Sequence, residues 1–569
     1  MNNRGRRTTR RPRFFLFLGL FGISVVACTP PGLPAPIAPK VSSADGSFPV
    51  AVPSITIGFD GAVQGFNPHA ISDYSPIDQA VTELVLPSVS SVASDGAVTL
   101  NTDVVQKATV SPASSTGPFT VTYTLDRNAS WSDGTPITAE DFSYLRDQML
   151  VQPGTVDPAG YRLITGIVSR DAGKTVQVSF ARPIADWQTL FSPLLPSHIL
   201  KDSPGGWTEG LAAALPVSGN RYKMLGYDSA TGEITLVRND KYWGTQPGPS
   251  TAVLRIGTSS ALIAALHRGD LQAVVLQPGA ADQETLNEQV PVARRVAVPL
   301  PGTVQLVLNT LSGATSDLGV RRAIAAALDT TALRSALDGG NPAGGSAVRS
   351  FVSLGGTGAA GAGDMPGPGG DLPGALADLA AAGYHRESLY MSKSGAILRL
   401  TLTYSSLDAG MAAAAQLVQR QLAAVGIEID LIREDPRTMV NARMAAGLGD
   451  LGLVMVPRGP SDALAAGSAF GCPLRPAGQT STSTTALPRA GNLSGLCLAD
   501  LQTLLGQAAS GWGVGPVDPV VSAAVPVVPI SRPSAIFAVS AGLASIAAGA
   551  GPGWVFSGPL WGLPRWPAR

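Results

Sequence analysis

Between residues 397 and 431 the chain spells out a unit whose geometry leaves little freedom. Residues 397–404 are strand-like, 411–424 form a helix-length stretch, Gly426 ends it, and Ile427, Ile429 and Leu431 alternate as a second strand. Strand, helix and strand in that order make a βαβ unit, which implies a parallel strand pair. From Pro49 onward the body keeps alternating short apolar runs with amphipathic stretches, the pattern of a mixed α/β protein. Further strands are expected at 52–58, 119–125, 175–180, 233–237 and 304–309, with late returns at 525–530 and 535–539. Helices are expected at 77–86, stopped by Pro87, at 261–266, ending at Gly269, and along the face marked by Val320, Ala323, Ile324, Ala327 and Leu328. Thr138 followed three residues later by Asp141 is an N-cap signal, with Phe142, Leu145 and Met149 at helical spacing behind it. Two Gly-, Ala- and Pro-rich or Ser/Thr-rich stretches, 339–374 and 477–491, break the pattern and are expected to be long mobile loops.

At 569 residues the chain exceeds what one hydrophobic core organises, so two or three packed units are expected. Aromatic residues are only 6% of it, so the cores are expected to be filled mostly by Ala, Val, Leu and Ile. Forty Lys and Arg balance forty Asp and Glu, leaving no field that would attract a phosphate backbone. Nucleic acid is thereby set aside as a partner.

The N-terminus sets six arginines, Arg4 to Arg13, before an uncharged run, 14–27, that ends at Cys28. This is a signal peptide with its basic and apolar regions. Fourteen residues reach about 21 Å as a helix, short of the roughly 30 Å hydrocarbon core, so a permanent membrane span is disfavoured. Val25-Val26-Ala27-Cys28 resembles the lipobox of bacterial lipoproteins, in which the cysteine thiol is acylated and becomes the new N-terminus. Residues 29–47, rich in Pro, Ala and Ser, read as a tether. With Cys28 acylated, Cys472 and Cys497 remain, and an exported compartment permits their oxidation to a disulfide. A metal site is the competing reading, although none of His69, His198, His267 and His385 lies near either cysteine in sequence.

Few motifs carry chemistry. Gly356-Thr357-Gly358-Ala359-Ala360-Gly361 matches the dinucleotide pattern formally, but no apolar helix follows it. Gly173-Lys174-Thr175 resembles the end of a P-loop whose leading glycine position holds Val168. There is no Gly-x-Ser-x-Gly elbow and no His-Glu-x-x-His. Glu140-Asp141 stands in a first helical turn, where negative charge complements the helix dipole. The expectation is recognition without catalysis, cofactor or metal.

Trp131-Ser132-Asp133-Gly134-Thr135-Pro136-Ile137-Thr138-Ala139-Glu140-Asp141-Phe142 resembles a segment of family 5 of the bacterial extracellular solute-binding proteins, the oligopeptide and dipeptide receptors of ABC importers. Arg238-Asn239-Asp240-Lys241-Tyr242-Trp243-Gly244, Asn309 with Val320-Arg321-Arg322-Ala323-Ile324, and Gln421 to Ile427 fit further segments in order. The resemblance implies a two-lobed periplasmic-binding-protein-like fold with an inserted subdomain. Its expected parts are a signal and lipobox (1–28), a tether (29–48), domain Ia (49–95), an inserted subdomain Ib (96–185), domain Ia again (186–300), domain II (301–522) and a return to Ia (523–569). Gly65-Phe66-Asn67-Pro68-His69, Ser72-Asp73 and Gly471-Cys472-Pro473 resemble a mycobacterial lipoprotein branch of the family. That likeness implies a phosphatidylinositol mannoside-type glycolipid and a role in lipomannan and lipoarabinomannan synthesis. The alternatives are an oligopeptide receptor of an ABC importer and a non-binding regulatory scaffold for a membrane glycosyltransferase; the partner would be an ABC permease or a membrane mannosyltransferase. Where the family has Gly-Thr-Gly-Pro-Tyr this chain has Val217-Ser218-Gly219-Asn220-Arg221-Tyr222, a departure from the peptide receptors. Candidate ligand residues are the polar and aromatic groups of the early loop, Asn67, His69, Asp73 and Tyr74. Tyr242 and Trp243 read as packing residues.

Overall fold

The structure is a computed structural model that describes residues 54–93, 95–112, 117–311, 313–353, 370–473 and 489–566. The signal sequence, Cys28, the tether and the glycine pattern 356–361 lie outside the described residues. No described helix is long and apolar enough to cross a membrane.

A curled mixed sheet organises both lobes. Its strands run in the spatial order Glu428–Glu434, Arg399–Ser405, Leu451–Pro457, Gly302–Leu308, Val527–Val539, Ala273–Leu276, Ser54–Phe59, Thr251–Ile256, Glu233–Arg238 and Tyr222–Asp228. Arg399–Ser405 and Glu428–Glu434 pair in parallel around the Ala409–Ala424 helix, as the βαβ pattern requires. We call the lobe carrying these strands the second, and the lobe built on Ser54–Phe59 the first.

The two late strands expected at 525–530 and 535–539 are one strand of 13 residues, Val527–Val539. Its first half pairs with Gly302–Leu308 and its second half with Ala273–Leu276, so a single strand runs through both lobes. Pro529 and Pro533 lack an N–H to donate, yet neither ends the strand. Pro533 instead sits where the strand changes partners, and its carbonyl accepts from Leu300 N at 2.9 Å.

A separate antiparallel sheet, in the order Val105–Ser111, Phe119–Leu125, Thr175–Phe180 and Ile164–Arg170, packs against the Ala139–Val151 helix. That helix starts in a capping box: Thr138 Oγ1 accepts from Glu140 N, and Asp141 Oδ2 accepts from Thr138 N at 2.9 Å. Asp141 Oδ1 also accepts from Ser197 N and Oγ, so this acid ties the subdomain to the segment behind it. The helix expected at 261–266 extends over Ser259–Arg268, and Gly269 ends it at φ 85°, a left-handed conformation open to glycine.

The expected mobile loop 339–374 is partly fixed. Asn341 Nδ2 donates to Pro278 O at 2.8 Å, Gly345–Ser346 adds a short strand against Val527–Val539, and Ser350 Oγ donates to Asp518 at 2.6 Å. Leu372–Ala381 is already helix. Polar anchors to distant partners order this stretch despite its composition; residues 354–369 are outside the described set. Likewise, 477–488 lie outside it, whereas Arg489 is buried and donates to Leu493 O and Asn309 Oδ1. Cys472 and Cys497 are joined in a disulfide, with Cα atoms 4.8 Å apart.

Candidate functional site

A cavity of about 210 Å³ lies between the lobes. The first lobe contributes the loop 65–74, the cavity face of the Pro76–Val85 helix, and residues around Ser90, Tyr161 and Ser192. The second lobe closes it with Pro457 to Leu464, which follow the end of the Leu451–Pro457 strand. A site at the carboxyl end of a sheet strand, where loops diverge, is a common outcome of open α/β architecture.

All four candidates of the early loop reach this wall. Most of their polar atoms, however, are spent inside the protein. Asn67 Nδ2 donates to Trp207 O at 2.9 Å, and its Oδ1 accepts from His69 N. His69 Nε2 donates to Pro193 O at 2.8 Å, and burial pushes the imidazole down to about 4, so the ring is neutral near pH 7. Asp73 receives Arg437 from the opposite lobe. Burial raises its carboxyl even against that guanidinium. Tyr74 is the least committed, with its hydroxyl 3.4 Å from Gln79 Oε1.

The open hydrogen-bonding capacity belongs to residues that sequence reading passed over. Asp78 Oδ2 accepts from Ser75 Oγ and Gln64 N, but its Oδ1 is buried without a partner among the described residues. Burial raises Asp78 well above the usual carboxylate range. Glu83, farther along the same helix, is pushed up to about 7 by burial. Asp157 is pushed up to about 6 by burial, although Arg458 and the Gly459 N–H, 2.5 Å from Oδ2, oppose the shift. Ser90 Oγ and Arg458 Nε are likewise buried and unpartnered. Arg458 is otherwise engaged, donating to Val352 O at 2.7 Å and to Asp462. The wall is therefore rich in acids and hydroxyls, and among the described residues its one lining cation, Arg458, is already paired. Asp78 was hidden because an acid three residues after Ser75 reads as a helix cap, and it does face that cap. A usable signal was Arg458-Gly459-Pro460, a charge at a sharp turn directly after an apolar strand.

Other sequence expectations have structural accounts. Tyr242 Oη donates to Asp103, and Trp243 Nε1 donates to Asp103 O at 2.6 Å, so both rings pack. Ser218 and Asn220, at the departure from the peptide-receptor pattern, bind the end of the Pro76–Val85 helix through Val85 O, Glu83 O and Leu86 O. Lys174 Nζ donates to Ala129 O, so it cradles no phosphate. Among the described residues no three His, Cys, Asp or Glu side chains converge as metal ligands.

Residues 103–471 match the family of bacterial extracellular solute-binding proteins, family 5 Middle. The chain belongs to family 5 of these solute-binding proteins. This family 5 protein is 37% identical over 317 residues to the probable monoacyl phosphatidylinositol tetramannoside-binding protein LpqW of Mycobacterium tuberculosis, covering 54% of this chain and 49% of LpqW. It is 25% identical over 260 residues to the oligopeptide-binding protein OppA of Mycobacterium bovis, covering 44% of this chain and 42% of OppA. The chain thus spans about half the length of the curated relatives it matches. In fold it is similar to the periplasmic EDTA-binding protein EppA, with a TM-score of 0.67 at 22% identity over 90% of this chain and 96% of that one. These relatives are binding proteins, and the two-lobed family 5 fold is the one expected from the sequence.

Proposed function

We propose that this family 5 protein is a lipid-anchored extracytoplasmic receptor for a phosphatidylinositol mannoside-type glycolipid, and that it supports lipomannan and lipoarabinomannan synthesis. The observation that carries this reading is the 37% identity to LpqW, a protein named for a tetramannoside ligand. The cavity chemistry agrees with it. Among the groups on the wall, sugar hydroxyls can pair with the carboxyls of Glu83 and Asp157 and the hydroxyl of Tyr74, whereas a free carboxylate would face acids. At about 210 Å³ the cavity is smaller than the roughly 300–1,000 Å³ of drug-sized ligand sites, so it fits a terminal sugar and leaves the acyl chains outside. Acylation of Cys28 and the 29–48 tether would keep the body at the membrane that holds such a lipid. The partner would then be a membrane mannosyltransferase.

A peptide receptor working with an ABC permease is the second reading, favoured by the likeness to OppA and by two acids able to take an ammonium group. Native mass spectrometry of the protein purified from its own membrane separates these. A co-purifying mannosylated phosphoinositide supports the glycolipid reading, and a ladder of short peptides overturns it in favour of transport. Absence of any ligand, with the lobes still closed, favours the scaffold. Separately, Cys28→Ala is expected to move the protein out of the membrane fraction.

A further inference from the structure

Asp73 and Arg437 stand 364 positions apart in sequence, come from opposite lobes, and meet beside the cavity. The guanidinium holds the carboxylate with two bonds, Nε to Oδ1 and Nη2 to Oδ2, each 3.0 Å. Ser72 Oγ donates to Oδ1 at 2.9 Å, and Asn67 N donates to Oδ2 at 3.3 Å. Only 3% of the Asp73 side chain is exposed, against 23% for Arg437. A planar two-point pair fixes orientation as well as energy, which a single hydrogen bond does not.

The surrounding backbone is shaped for this pair. Gly65 has φ +146°, and a Cβ there would lie 2.2 Å from Arg437 Nη2 and 2.3 Å from Asp73 Oδ2. Other side-chain crossings between the lobes near the cavity, among them Asp157 to Gly459 N, Ser461 Oγ to Asp186, Ala159 N to Ser468 Oγ and Asn441 Nδ2 to Ser72 Oγ, are single bonds. Asp78 lies close enough to repel the Asp73 charge, while Glu209 and Asp435 attract Arg437. With the guanidinium removed, Asp73 would be a buried charge next to another acid, and opening to water would relieve both.

We propose that Asp73 and Arg437 form a catch that holds the two lobes shut over the cavity, acting as positioning residues and not as ligand contacts. The inference does not depend on which ligand the cavity takes. Opening and closure are two states of one molecule, and the catch biases their populations.

Hydrogen exchange of the ligand-free full-length protein tests it directly. Gly154 N donates to Arg489 O, Thr155 N to Ala490 O and Ala185 N to Ala509 O, all across the lobe interface, so these amides report opening. In Arg437→Gln we expect their exchange to rise by about tenfold or more, with the amides of Val527–Val539 unchanged. Should that variant fail to fold, Gly65→Ala keeps both charges, crowds the pair, and carries the same expectation. Unchanged exchange at the interface in a folded variant overturns the proposal. So does an equal rise in the Val527–Val539 strand, which would mean that Arg437 supports the fold at large.

Discussion

The core of the first lobe is packed around aromatic rings, whereas the core beneath Arg399–Ser405 and Glu428–Glu434 holds one buried ring, Tyr404, among the described residues. In the first lobe Phe142 lies 4.7 Å from Phe191 and 5.7 Å from Tyr123, while Tyr161 meets Phe191 edge-on at 5.4 Å. Trp131, Phe180 and Phe59 extend that cluster. The second lobe packs Ala323, Ala327, Ala414 and Ala415 with leucines and valines between helices and sheet. A low aromatic content had suggested aliphatic cores throughout. That holds for one lobe only, because the few rings are concentrated in the other. Each ring buries roughly 150–250 Å², so a handful can organise a lobe. Small residues do the opposite work, letting helices approach a sheet closely.

The contrast can be broken most sharply at Trp131. Trp131→Ala empties a fully buried site in the ring cluster and should cost about 3–5 kcal/mol in denaturant unfolding. A loss below about 1 kcal/mol would show that the ring cluster is not what holds this lobe. The second-lobe side is tied covalently instead, close to its buried Phe470. Replacing Cys472 and Cys497 together by Ser should lower stability by about 3 kcal/mol, read as a shift in unfolding midpoint that reduction of the native protein reproduces.

Glu83 probes the edge where the ring-packed lobe meets the cavity. Its carboxyl is raised from 4.5 to about 7 in the folded state, so the stability it contributes is complete below about pH 4.5 and is lost as pH rises through 7. Glu83→Gln should therefore be neutral at pH 4 and stabilising by about 2 kcal/mol at pH 8, with water in the cavity relieving part of the charging cost. A pH-independent difference would refute the raised ionisation. The smallest effect belongs to Tyr404, the one buried ring in the core beneath Arg399–Ser405 and Glu428–Glu434 among the described residues. Tyr404→Leu should cost about 1 kcal/mol, since aliphatic neighbours can close around it, and a loss near that of Trp131→Ala would erase the distinction between the lobes.

Elements whose signals are local were legible in the sequence. The capping box at Thr138 and Asp141 involves residues three apart, Gly269 ends its helix by its own backbone freedom, and the βαβ unit is read from neighbouring segments. The Val527–Val539 strand was misread as two because its continuity depends on partners in both lobes. The stretch from Asn341 to Val352 was misread as loose because Ser350 is anchored to a residue 168 positions away.

The candidate site divides in the same way. Asn67, His69, Asp73 and Tyr74 stood out as polar and aromatic residues on one loop, and that loop does line the cavity. Their chemistry was not readable, because the groups that satisfy Asn67, His69 and Asp73 are Trp207, Pro193 and Arg437. Asp78 and Glu83 gave no signal, since helix acids are ordinary until one side of the helix is closed off from water.

By itself the sequence determined the α/β class, the local caps and stops, and the resemblance that places the chain in its family, because each rests on residues close together or on motifs in order. Only the tertiary structure decided which polar atoms are already paired and which are buried beside the cavity without a partner. Hydrogen bonding and desolvation are settled by whatever packs against a group, and here the partners arrive from hundreds of residues away.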